Sequence, residues 1–166
     1  MRRVGPLGLV ERLIDGWALV GGLVLLAVII INLAAVIGAA IGRPLPGDFE
    51  LTEMGVAIAV FAFLPYCQLR DANVTADIFT MGAGPQLIAV LKAFAALVAS
   101  GFAVILLWRM SAGLVDMREY GYATAILQVP IWLAFVPILV SLALLTAAAL
   151  ITLFDSVSTV REGSHA

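Results

Sequence analysis

The side chains that could do chemistry in this sequence are few, and they stand at the edges of apolar runs. Asp48, Glu50 and Glu53 cluster at the head of one such run, and Arg70, Asp71 and Asp77 follow its end. Carboxylates at the start of a helix stabilise its positive end. Glu53 in that position either does this or makes a polar contact to a partner protein. Arg70 with Asp71 and Asp77 is either a solvated ion pair at a turn or an anchored joint between subunits. None of these groups is accompanied by a nucleophile with its base or by a set of metal ligands, so no catalytic, cofactor-binding or metal site is expected. His165 lies one residue from the end of the sequence, which leaves no histidine inside an apolar run to hold a haem iron. Cys67 is alone, so no cysteine pair can relay a disulfide; it reads as a buried structural thiol.

The elements that must position these groups are set by composition. Of 166 residues, 63% are hydrophobic and 12% charged, and the mean hydropathy is +1.13. A soluble domain carries about a quarter charged residues, so cytosolic enzymes and secreted domains are excluded and membrane lipid is the expected surrounding. The net charge is −2, with no basic stripe. Nucleic acid, which demands such a stripe, is excluded as a partner.

A helix needs about 20 apolar residues to cross the hydrocarbon core, and four runs qualify. The first, 17–41, is free of charge and about 37 Å long, enough to require tilt. It is too long for a signal peptide and ends in Gly42-Arg43-Pro44, so a retained helix is expected. The second, 51–69, contains Pro65, which should bend it. The third, 86–108, follows Gly84-Pro85, with proline at the first helical position. The fourth covers about 130–153, with Pro130 and Pro137 near its start. The expected fold is an all-α membrane protein, a single integral domain of four transmembrane helices with interfacial amphipathic segments. Three stretches have the spacing of such segments: 74–81, 109–119 and 7–14.

Basic residues fix the expected orientation. Arg2, Arg3, Arg12, Arg70, Lys92 and Arg161 share one side, against Arg43, Arg109 and Arg118 on the other. Both termini are therefore expected in the cytoplasm. Trp17, Trp108 and Trp132 fall near span ends, where an indole sits between hydrocarbon and headgroups. The stem of Lys92 is long enough to snorkel to the near interface. These four are the expected membrane anchors. Gly38 and Gly42 form a small-xxx-small pair that would let another helix approach closely.

An ion-coupled carrier holds its substrate near the midplane with ionisable groups or unwound backbone. The corresponding depths here offer only Asn32, Ser100, Ser141 and Thr146, and Asn32 is expected to bond a neighbouring helix. The residue chemistry thus points to a protein that serves another membrane protein.

Two stretches carry a family resemblance. One is Glu53 at the head of the second span followed by the segment from Leu69 through Arg70, Asn73 and Asp77 to Thr80. The other runs from Ala125 through Gln128, Pro130 and Trp132 to Pro137 and Ile138. Together they resemble the small membrane subunit of tripartite ATP-independent periplasmic (TRAP) transporters, the DctQ-type family, over about 13–154. Many members carry histidine where Asn73 stands. The resemblance implies a subunit in the bacterial inner membrane that pairs with a large permease holding the substrate and sodium sites. A periplasmic substrate-binding protein would deliver a dicarboxylate or other organic acid for sodium-coupled symport. The small subunit would brace the permease and contribute to the docking surface, with Glu53, Arg70, Asp77, Gly38 and Gly42 as candidate contacts. Two other readings stand beside it. A self-sufficient four-helix exporter acting as a dimer usually needs a carboxylate in its first span, and 17–41 has none. A membrane enzyme or assembly factor would have to use Glu53, Arg70 or Asp77 at an interface.

Overall fold

In a computed structural model of the chain, residues 6–70 and 85–163 are described. They form four helices: α1 Pro6–Ala40, α2 Asp48–Leu69, α3 Pro85–Glu119 and α4 Trp132–Gly163. All four are long and apolar enough to cross a membrane. The packing is a row more than a closed bundle. The α4 helix lies between α2 and α3 with extensive contacts to both, and α1 packs on α2 and touches α4 only slightly.

Small residues make this packing possible. In lipid, helices gain little from burying apolar surface against one another, so close backbone approach and van der Waals contact decide association. The buried face of α2 is Gly55, Ala59, Ala62 and Pro65, at the spacing of one helical stripe. Gly21 of α1 lies so close that a Cβ there would stand 2.7 Å from Cβ of Ala62, and a Cβ on Gly55 would run into Val28. On the other side of α4, the α3 helix presents Ala96, Ser100 and Ala103 as its buried stripe. The bulky interior belongs to α4 and α1, through Leu142, Ile138 and Ile14.

The helices run beyond the apolar runs, most of all α1 and α3. The stretch 109–119 is the unbroken continuation of α3, with Gly113 seated against the Phe135 ring, rather than a separate surface segment. Its amphipathic spacing is the helical period itself, and no proline interrupts it. Likewise 7–14 lies within α1, and Ile14 is fully buried. The α2 helix continues through Pro65 to Leu69. The α4 helix starts at Trp132, because Pro130 is held in an antiparallel bridge with Ala123. The stretch 74–81 lies outside the described residues.

The end of α1 accounts for Gly38 and Gly42 within the chain. The amide of Arg43 donates to the carbonyl of Gly38 at 2.7 Å, the amide of Gly42 donates to that of Ala39 at 3.2 Å, and Gly42 has φ 75°. This is a Schellman termination, in which glycine takes the left-handed position. The close approach at Gly38 is to its own chain, since a Cβ there would meet the Arg43 carbonyl oxygen at 2.5 Å.

Candidate functional site

The polar groups gather at the two ends of the helix row. At one end, Arg70 caps the C-terminus of α2, its amide donating to the Tyr66 carbonyl at 3.0 Å. Its side chain reaches across to α1, where Nη2 donates to both carboxylate oxygens of Asp15 at 2.9 and 2.8 Å. The guanidinium also lies 5.7 Å from the centroid of the Tyr66 ring. The hydrogen bond and the attraction of Asp15 raise the pKa of Arg70 above its ordinary value. Asp15 was not among the expected partners of Arg70. Its position is legible from register: 25 residues separate Asp15 from the end of α1 at Ala40 (40 − 15), and 22 separate Asp48 from Arg70 (70 − 48). Two antiparallel stretches of similar length set these residues side by side.

At the other end, the connection between α3 and α4 folds back onto the start of α2. The Thr124 amide donates to the Val129 carbonyl at 2.9 Å and the Ile131 amide to the Tyr122 carbonyl at 3.0 Å, while Thr124 Oγ1 accepts from the Val129 amide at 3.0 Å. Gln128 sits at the turn with φ 55°. Within this hairpin the amides of Ile126 and Leu127 lack ladder partners, and the Glu50 carboxylate accepts both, at 2.7 and 3.0 Å. A carboxylate taking two backbone amides is a charge-assisted pair of bonds. Glu50 is thus a clamp on the hairpin as well as an acid in the first turn of α2. We expect Glu50→Gln to speed hydrogen exchange of the Ile126 and Leu127 amides, with exchange in the middle of α4 unchanged; equal exchange at the two amides in both proteins would contradict the clamp.

Between the ends, polar side chains are bonded within the chain. Asn32 Nδ2 donates to Thr52 Oγ1 on α2 at 2.7 Å and to its own helix at the Val28 carbonyl, which is the helix-to-helix bond expected of it. The Trp17 indole N–H donates to Ser141 Oγ on α4 at 2.8 Å. Ser100, Ser141 and Thr146 each donate to a carbonyl of the preceding turn. Among the described residues, every buried side-chain nitrogen or oxygen has a hydrogen-bond partner.

The other expected residues are spread over the row. Glu53 is exposed and lies one helix length from Arg70, about 26 Å along α2, so the two do not share a site. Trp108 projects outward from α3, and the Trp132 ring lies 5.8 Å from the Arg118 guanidinium. Asp77 and Asp71 lie outside the described residues, as does the side chain of Lys92.

Comparison with family models gives a match over residues 28–159 to the DctQ component of tripartite ATP-independent periplasmic transporters. The chain belongs to the DctQ family. Comparison with curated proteins and with solved structures gave no match. The DctQ match begins at Val28, in the second half of α1, and takes in α2, α3, the hairpin and most of α4. It includes Glu50, Glu53 and Arg70 and leaves out Asp15 and Trp17. As a DctQ chain with four helices of crossing length, this is a multi-pass membrane component of a transporter.

Proposed function

We propose that this DctQ chain is the small, non-catalytic membrane subunit that braces a large permease subunit in the inner membrane of a bacterium. The permease holds the substrate and the sodium ions, and a periplasmic substrate-binding protein delivers a dicarboxylate or other organic acid. Both termini lie in the cytoplasm, which turns the clamped hairpin and the start of α2 toward the periplasm. There Phe49, Tyr120, Tyr122 and Ile126 are exposed and form part of the surface that the binding protein meets.

One observation carries this reading. The buried polar residues, Ser100 and Ser141, are bonded to their own chain, while the outer stripe of α1, through Leu19, Leu23, Leu26, Ile30, Leu33 and Ile37, is exposed. Such an arrangement has its polar groups committed to holding helices together and its apolar surface turned outward. That is a frame against which another protein and lipid can lie.

Co-purification tests it. The affinity-tagged chain should carry the large permease out of mild detergent in constant proportion, and recovery of the chain alone from cells that make both would contradict the proposal. Glu53 supplies a finer test as a contact to the partner. Glu53→Gln should reduce the permease recovered with the chain several-fold and reduce uptake in parallel. Unchanged recovery and uptake would leave Glu53 as a charge at a helix start.

A further inference from the structure

The Asp15–Arg70 pair stands at the mouth of a groove between α1 and α2 of about 460 Å³, lined by Asp15, Ala18, Leu19, Gly22, Phe63, Tyr66 and Arg70. On α1 these residues recur at i, i+3, i+4 and i+7, and on α2 at i, i+3 and i+7. The groove therefore follows one stripe of each helix. Its polarity is graded: both charges and the Tyr66 ring lie at one end, and Ala18, Leu19, Gly22 and Phe63 continue it with apolar walls. The floor is open at Gly22, where a Cβ would meet nothing within 4 Å. The ion pair is not sealed, since its arginine and aspartate side chains are 45% and 39% exposed.

We propose that this groove binds one phospholipid with a phosphoethanolamine headgroup. The phosphate bonds the Arg70 guanidinium, the ammonium bonds the Asp15 carboxylate, and an acyl chain lies along Ala18, Gly22 and Phe63. A groove that runs from a charged end into apolar walls, on helices that cross a membrane, is filled by a molecule with the same gradient. The guanidinium has five N–H donors in a fork suited to phosphate, and the contact with Asp15 engages a single nitrogen. The headgroup class follows from charge. Asp15 neutralises Arg70, so the site attracts an anionic headgroup only weakly, whereas a zwitterion with a hydrogen-bonding ammonium matches both partners at once. A choline headgroup carries the same charges but has no N–H to donate to Asp15.

The test is native mass spectrometry of the full chain, released from membranes containing equal amounts of dioleoyl phosphatidylethanolamine, phosphatidylcholine and phosphatidylglycerol. The ethanolamine lipid should be retained over the choline lipid by roughly tenfold, the factor that one hydrogen bond to a charged group supplies. Gly22→Leu should abolish retention without lowering the melting temperature, because its side chain enters the groove from a position where a Cβ meets open space and a helix-interior glycine is itself unfavourable. Asp15→Asn should remove the preference for the ethanolamine lipid over the choline lipid, by removing the carboxylate that accepts from the ammonium. Equal retention of the ethanolamine and choline lipids, preference of the unsubstituted chain for the glycerol lipid, or full retention by Gly22→Leu would each overturn the proposal. So would a lipid held by the isolated chain and absent from the chain purified with its permease, since a protein segment would then be the occupant.

Discussion

Gly55→Leu should unseat α1 from α2 and leave a chain that no longer melts as one cooperative unit. Even the first atom of a side chain at Gly55 would overlap Val28, and Gly55 is buried with Ala59 and Ala62 in the stripe that α1 rides on. Neither helix can yield easily, because the same seam closes again at Gly21 against Ala62 and the Ala59 carbonyl. Overpacking by a single methyl costs about 1–3 kcal/mol in a tight core, so Gly55→Ala should already lower the melting temperature in detergent, followed by tryptophan fluorescence. The leucine variant should fail to give the native transition. Gly101 on α3 is the internal control: nothing lies within 4 Å of a Cβ there, and Gly101→Ala should be neutral or stabilise by about 0.5–1 kcal/mol through helix propensity. Equal melting of the Gly55→Ala and Gly101→Ala chains would contradict the seam.

The second large effect is expected at Gly47, which joins the start of α2 to the hairpin. Its φ is 78°, and a Cβ there would run into the Leu127 side chain. Two penalties act together. The left-handed conformation costs a residue with a side chain about 1–2 kcal/mol, and displacing Leu127 adds about 1–3 kcal/mol of overpacking. Gly42 separates the two: its φ is 75°, yet a Cβ on it meets open space. Gly47→Ala should therefore lower stability clearly more than Gly42→Ala and should also speed exchange of the hairpin amides from 123 to 131. If the two variants lost the same stability, Leu127 would not be seated on Gly47.

The four crossing helices were legible because lipid imposes a simple requirement: a long apolar run must be helical to satisfy its own backbone. The ends were harder. Helix length beyond the apolar run depends on where a breaker stands, and no proline stands between Trp108 and Glu119, so α3 continues where a separate surface segment was expected. Pro130 had the opposite effect, entering a hairpin and delaying α4 to Trp132. Gly38 and Gly42 show how one spacing can serve two ends: Gly42 takes the left-handed position that a Schellman turn favours for glycine, and Gly38 lies against the Arg43 carbonyl oxygen of the same turn. The acidic cluster before α2 was visible, but the use of Glu50 was not. Its partners are the backbone amides of residues 126 and 127, and amides leave no trace in residue types. Asp15 was missed for a different reason. The charges that follow Arg70 closely in sequence are Asp71 and Asp77, while its partner in space stands 55 residues away on an antiparallel helix.

Each end of the helix row is closed by a charge-assisted contact between elements distant in sequence: Glu50 to the hairpin, and Asp15 to Arg70.

Transport by purified components tests the central claim most directly. The chain is reconstituted into vesicles alone, the permease alone, and the two together, each with the binding protein and a sodium gradient. The bracing role predicts no substrate uptake by the chain alone and uptake by the pair well above that of the permease alone. Robust uptake by the chain alone would contradict it.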